Sequence, residues 1–291
     1  MVKKGGITFL LAVIFAGCLW SFFDGSYHEV LPLEFSDASD PVVEVTINGK
    51  GYPLAVDLGS KFFIELDSKV LEDIPKERAG VGHWINAFGN KYTQPKYKLR
   101  EVFLGKQSFQ EVFAIEQSSE EDCLFWKSSE EKKGKVVPCG HIGRRLLKKR
   151  NFLIDCDHKR FIVSNSLRRL KKEGYDLSTF HIAPFEMTSK AIYLKIDTDQ
   201  GWRNYLLDTG STVTLLKDQL YPSCVEKRDM GLPLVTTERF VLNGKDFGPM
   251  NLHLLPFPDE FIDVHGILGM DFINHHPIYL DFHEKLAYIG G

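Results

Sequence analysis

The chain is written in short apolar runs separated by turn residues, and the order of those runs repeats. Pro41-Val42-Val43-Glu44-Val45-Thr46-Ile47, the turn Asn48-Gly49 and the run through Leu54-Ala55-Val56 predict a strand, a hairpin and a second strand that ends in Asp57-Leu58-Gly59-Ser60. The same order returns from Ala191 to Leu207 and ends in Asp208-Thr209-Gly210-Ser211, with one extra residue assigned to the second hairpin. The two units also close alike. Gly140-His141-Ile142-Gly143 followed by Asn151–Val163 matches Gly266-Ile267-Leu268-Gly269 followed by Pro277–Ile289, and in both a turn (Asp157-His158-Lys159, His283-Glu284-Lys285) joins two apolar strands. Between these ends the segments are strand-like and rich in turns, and helix signal is confined to short stretches after Gly143 and Gly269 and to Leu215–Leu220. The expectation is a predominantly β protein of two homologous lobes, 38–165 and 180–291, each closing a small barrel-like core, with 166–179 as a polar linker.

Composition narrows the partners. With 291 residues and 43% hydrophobic content the chain can fill real cores, and Lys plus Arg (36) nearly balances Asp plus Glu (39), so no global charge favours nucleic acid. The basic runs Arg144–Arg150 and Arg168–Lys172 are read as solvated surface. Residues 1–23 have the basic start (Lys3, Lys4) and uncharged apolar run of an export signal or membrane anchor. Phe15-Ala16-Gly17-Cys18 resembles the bacterial lipoprotein processing box, which makes Cys18 a candidate lipidation site and the protein periplasmic or envelope-associated. Cys123, Cys139, Cys156 and Cys224 allow three pairings, among which sequence does not choose. No Cys-x-x-Cys pair or His-x-x-x-His cluster suggests a metal, and no cofactor is expected.

The chemistry rests on the two Asp turns. In Leu206-Leu207-Asp208-Thr209-Gly210-Ser211 a buried strand delivers the Asp to its end and Gly allows the reversal that exposes the carboxylate. Pseudo-twofold packing of the lobes in a monomer would bring Asp57 and Asp208 together. Two carboxylates in one site do not both ionise comfortably, so they share a proton, and one acts as base while the other acts as acid. Such a pair activates water against a peptide carbonyl.

On these residues the chain resembles the aspartic peptidase superfamily, bilobal like pepsin with compact lobes like the retroviral enzymes. The motifs that carry the likeness are Asp208-Thr209-Gly210-Ser211-Thr212 and Gly266-Ile267-Leu268-Gly269, and in weaker form Asp57-Leu58-Gly59-Ser60 and Gly140-His141-Ile142-Gly143. The resemblance implies an acid-protease fold, catalytic Asp57 and Asp208, and supporting roles for Gly59, Ser60, Thr209, Gly210 and Ser211. It gives Ser60 and Ser211 the task of orienting the carboxylates. It implies a protein or peptide substrate, bound as an added strand between the lobes.

Leu58 departs from that pattern. The family has Thr or Ser there, whose hydroxyl braces the two loops, so one side of the brace is lost and the Thr209 hydroxyl is left to find a partner. Two readings stay open: an active endopeptidase, and a weak or inactive peptide-binding descendant. A third, in which second lobes pair between two copies of the chain, predicts activity without Asp57. Arg144, which stands where the second lobe has Met270, is expected on the surface. Trp84, among the glycines of 80–90, is a candidate for the covering flap, with Tyr92 as a displaced equivalent, and Lys227–Pro233 a shorter second flap. Asp155 and Asp281 are assigned to turns and Asp271 to a helix start.

Overall fold

The computed structural model of the protein describes residues 25–85, 89–117, 135–189, 191–221, 225, 227–258, 261 and 263–291. Residues 1–23, with Cys18, lie outside the described residues, as do Cys123 and Cys224.

Each lobe begins with the hairpin read from sequence. In the first, strand Pro41–Ile47 pairs with Lys50–Asp57 in a register from Val42↔Ala55 to Ile47↔Lys50. The two residues between them, Asn48 (φ 49°) and Gly49 (φ 81°), both take the left-handed conformation that a tight hairpin turn demands. In the second lobe, Ile192–Thr198 pairs with Gly201–Leu207 from Tyr193↔Leu206 to Thr198↔Gly201. Measured back from Asp57 and Asp208, these registers superimpose without a gap, Val42 on Tyr193 and Ala55 on Leu206. The extra residue expected in the second hairpin is therefore absent. The copies differ only in where the first strand is entered, which places Asp40, not Pro41, opposite Ala191.

Beyond each Asp turn the chain returns to lie beside the same strand. Gly140–Gly143 runs parallel to Lys50–Asp57, with Ile142↔Val56, and antiparallel to Ile64–Leu66. Gly266–Leu268 does the same with Gly201–Leu207 and Leu215–Lys217. Single-turn helices follow both glycine strands, Arg144–Leu147 and Met270–Ile273. Leu215–Lys217 is a strand and Asp218–Leu220 coils into a 3-10 turn, so half of the helix expected there is strand.

The sheets do not close into barrels. In the first lobe, Glu77–Ile85 pairs with Lys91–Leu99 as a projecting hairpin, and its largely exposed outer strand has no second strand partner among the described residues. In the second, the edge is used to join the lobes: His181–Met187 pairs on one side with Ile192–Thr198 and on the other with Leu286–Ile289. That bond continues the lobe into a shared sheet ordered His28–Pro32, Arg160–Ser164, Phe152–Asp155, Ile278–Asp281, Leu286–Ile289. At its centre the two copies of one repeat strand meet antiparallel, with Leu153 opposite Tyr279, which are matching positions of the two units. One apolar core containing Val56, Leu58, Phe152, Leu207 and Leu280 runs through both lobes.

A smaller cluster packs Leu153, Ile162 and Tyr279 under Leu170 of the linker helix Leu167–Lys172. Because Leu153 is fully buried at the strand pair that joins the lobes, Leu153→Ala is expected to cost about 2–5 kcal/mol, with a matching fall in the urea midpoint.

Candidate active site

Asp57 ends its strand and Asp208 follows Leu207, the last residue of the matching strand. The chain that crosses behind each turn must be glycine. A methyl group on Gly143 would lie 2.4 Å from the Phe62 carbonyl oxygen, and one on Gly269 2.4 Å from that of Val213. The close crossing is held by Arg144 N–H to Ser60 O in one lobe and Met270 N–H to Ser211 O in the other.

The two turns meet face to face. A methyl on Gly59 would fall 2.4 Å from Asp208 Oδ2, and one on Gly210 3.0 Å from Asp57 Oδ1, so each glycine is the space into which the opposite carboxylate fits. Gly59 N–H and Gly210 N–H both donate to Asp208 Oδ1, at 3.1 and 2.8 Å, while Ser60 N–H donates to Asp57 Oδ1 at 2.8 Å. Burial, the charge of Asp57 and a hydrogen bond from Asp208 to Asp57 push Asp208 up to about 8, against the pull of those amides. Asp208 thus keeps its proton at neutral pH, and the pair can present an acid and a base side by side.

The candidate flap lies on the projecting hairpin of the first lobe. Trp84 stacks on its cross-strand partner Tyr92, ring centroids 4.2 Å apart, one pair short of the hairpin's last pair, Ile85 with Lys91. Gly89, near its tip, lies against Pro258 of the second lobe, so the hairpin spans from one lobe to the other. Residues 86–88 lie outside the described residues. In the second lobe Arg228–Asp229 and Leu232–Thr237 form a short hairpin through Met230-Gly231, fastened by Asp229 to His253.

No family model matches the sequence, and no curated protein matches it. Among solved structures, the chain is similar to the crystal structure of an aspartic proteinase from Irpex lacteus, at 12% identity and a TM-score of 0.57, over 91% of this chain and 97% of that one. The chain has the fold of an aspartic proteinase.

On that fold the brace between the turns is one-sided and complete. Thr209 Oγ1 donates to Val56 O at 2.5 Å and accepts from Leu58 N–H at 3.0 Å, both across the lobe boundary. The unsatisfied hydroxyl expected from Leu58 does not arise, because the backbone of the first lobe supplies both partners. Leu58 itself is buried in the shared core.

Two expectations for side chains are corrected. The Ser60 and Ser211 hydroxyls do not bond the dyad carboxylates in this arrangement: Ser60 Oγ donates to Glu65, and Ser211 Oγ donates to Val213 O at 2.8 Å. In each case the turn bends the hydroxyl back onto its own lobe, and it is the Ser60 backbone that serves Asp57. Arg144 is not on the surface. The helix turn after Gly143 points it inward, where it is 2% exposed and donates to Gly59 O at 2.6 Å and Ser189 O at 2.9 Å.

Asp155 and Asp281 accept amides of their own turns, from His158 and from His283 and Glu284. Asp271 does more than start a helix: it accepts Thr214 N–H and Oγ1–H, tying the second glycine crossing to the strand beside it.

Sequence reasoning missed a polar group beside Asp57. Glu65 and His141 are opposite each other across Ile64–Leu66 and Gly140–Gly143, where the second lobe pairs Leu215 with Ile267. Burial and the charge of Asp57 raise Glu65, opposed by His141 and by the Ser60 hydroxyl. Asp40, raised by burial and lowered by the Ser36 hydroxyl and His141, stands where the second lobe has Ala191. Setting the two repeats side by side at these registers is the signal that would have found them.

Thr209→Val removes one donor and one acceptor at once and leaves Val56 O and Leu58 N–H unpaired in a buried place, so a loss of about 2–4 kcal/mol is expected in chemical denaturation, with Thr209→Ser close to wild type. A second expectation concerns pH. Because Asp208 binds its proton more tightly folded than unfolded, its stabilising contribution is full below about pH 4 and drains away as pH rises towards 8. Relative to Asp208→Asn, wild type should lose on the order of 5 kcal/mol across that window, read from urea midpoints at each pH.

Proposed function

We propose that the chain is an aspartic endopeptidase in which Asp57 and Asp208 activate water against a peptide bond. The observation that supports it most is the mutual seating of the two Asp turns, in which burial and the charge of Asp57 raise the proton affinity of Asp208. The reaction follows from those states. Asp57 takes a proton from water as its oxygen attacks the carbonyl carbon, and Asp208 gives its proton to the carbonyl oxygen, leaving a neutral tetrahedral diol. Collapse of the diol breaks the C–N bond as a proton passes to the departing nitrogen, and the pair is left with one proton to share.

In this reading the protein acts as a monomer with pseudo-twofold symmetry. The substrate is an extended protein or peptide segment laid beneath the hairpin that carries Trp84, which excludes water as it covers the cleft. Residues 1–23 direct it out of the cytoplasm and hold it at the envelope.

Cleavage of a diverse peptide library from pH 3 to 9 by wild type, Asp57→Asn and Asp208→Asn tests the proposal. Either substitution is expected to lower kcat by about 10³-fold or more, and wild-type cleavage should fall away as pH rises through about 8, where Asp208 gives up its proton. Folded wild-type protein that binds peptides and cleaves none would favour the second reading, a peptide-binding descendant, for which the missing hydroxyl at Leu58 speaks. Activity that survives Asp57→Asn would instead point to pairing of second lobes between two molecules.

A further inference from the structure

The two glycine crossings are followed by different residues, Met270 in the second lobe and Arg144 in the first, and the difference falls on the peptide unit that serves the dyad. Arg144 donates through one terminal nitrogen to Gly59 O. The other end of that same peptide unit is Ser60 N–H, the donor to Asp57 Oδ1. A cation on the carbonyl end polarises the unit and strengthens the N–H that it aims at the carboxylate. The amide at the opposite end of Gly59 donates to Asp208, so the residue that Arg144 grips touches both carboxylates.

The second terminal nitrogen of Arg144 reaches Ser189 O, in the segment that leads into the first strand of the second lobe. One side chain therefore ties the first Asp turn to the other lobe, which is the task that a hydroxyl at position 58 would perform and Leu58 does not. Both of these bonds end on neutral carbonyls. A guanidinium taken out of water needs opposite charge nearby as well as acceptors, and Asp57 and Asp208 are the first two anionic groups whose fields reach it.

We propose that Arg144 is a positioning residue that replaces the missing hydroxyl at position 58, bracing the first Asp turn against the second lobe and supplying positive charge beside the two carboxylates. The proposal rests on the dyad being the reactive centre. Other titratable groups lie on the packed elements: Glu65 on Ile64–Leu66 and Asp40 ahead of Pro41–Ile47 feel the charge of Asp57, His141 on Gly140–Gly143 lies near both of them, and Tyr193 on Ile192–Thr198, Lys61 and Arg145 lie near Arg144 itself. Glu65 and Asp40 are carboxyl groups raised by burial and by the charge of Asp57. Arg144 is the buried cation set against them.

The direction of the effect is fixed by charge. Removing a cation makes both proton losses from the pair harder, so both limbs of the pH profile of kcat/KM move to higher pH. In the full-length protein Arg144→Met, which installs the residue of the second lobe, is expected to raise both limbs by about one unit and to lower the maximum about 10-fold or more through a looser turn. Arg144→Lys, which keeps the charge, should leave the limbs near wild type, while Arg144→Gln, which keeps a donor for the carbonyl, should move them as Arg144→Met does. A merely structural role would lower the height of the profile in all three without moving its limbs, and that result overturns the proposal.

The same question can be put to a protein that cleaves nothing, which separates this proposal from the peptidase reading. In carbon-13 carboxyl NMR of aspartate-labelled protein, with Asp208→Asn to assign the resonance, the Asp208 titration should move upward in Arg144→Gln and stay in place in Arg144→Lys. An Asp208 titration unchanged in Arg144→Gln overturns the charge role whether or not the wild type is active, and should Arg144→Met fail to fold, the Gln and Lys variants decide alone.

Discussion

Everything at the centre of this protein depends on one close approach: each Asp turn brings a glycine against the carboxylate of the other. A side chain at Gly59 or Gly210 would occupy the space of the opposite carboxyl group, so the lobes can come together only where those carbons are bare. The rest of the architecture supplies that approach. The antiparallel meeting of Phe152–Asp155 with Ile278–Asp281 joins the lobes, and the glycine crossings behind each turn hold Asp57 and Asp208 at the ends of buried strands. Thr209 then pins one turn to the backbone of the other, with donor and acceptor both used.

The same approach creates the electrostatics. Bringing two carboxylates out of water and beside each other raises proton affinity, and burial and the charge of Asp57 push Asp208 upward. Two identical half-sites would have no reason to prefer either partner. Here the surroundings differ: apolar Leu215, Ile267 and Ala191 on the side of Asp208, and Glu65, His141, Asp40 and the buried Arg144 on the side of Asp57. Asymmetry between the copies is a chemical feature of the site as much as a divergence of sequence.

Much of this was legible in the order of the residues because the repeat is local. Strand, turn, strand, Asp and Gly are set by neighbours in the chain, so the hairpins, the two Asp turns and the glycine crossings could be read directly. What failed was whatever depends on contacts across the fold. Barrel closure was inferred from the run of short strands and turns, yet the open edge of the second lobe is used by His181–Met187 to reach the shared sheet. The serine hydroxyls were assigned to the carboxylates from type and position alone, while the local turn sends them to Glu65 and Val213. Arg144 lies in a run of basic residues and reads as surface, because nothing in the run reveals that the single helical turn after Gly143 swings it towards Gly59 and Ser189.

That last misreading bears on how a weakened motif should be weighed. Judged position by position, Leu58 removes a hydroxyl and counts against a working centre. Judged as a network, the position has two losses to make good, a link across the lobes and a polar group near the carboxylates, and both can be supplied from elsewhere. Thr209 reaches backbone atoms on either side of Asp57, so the link survives on one side without any hydroxyl at position 58. Arg144 adds a second link through Gly59 and Ser189 and brings a charge that a hydroxyl would not. Leu58, released from polar duty, packs into the core that runs between the lobes. A missing motif residue argues for lost chemistry only when the contacts it would have made are also missing, and here the first Asp turn is held by other atoms.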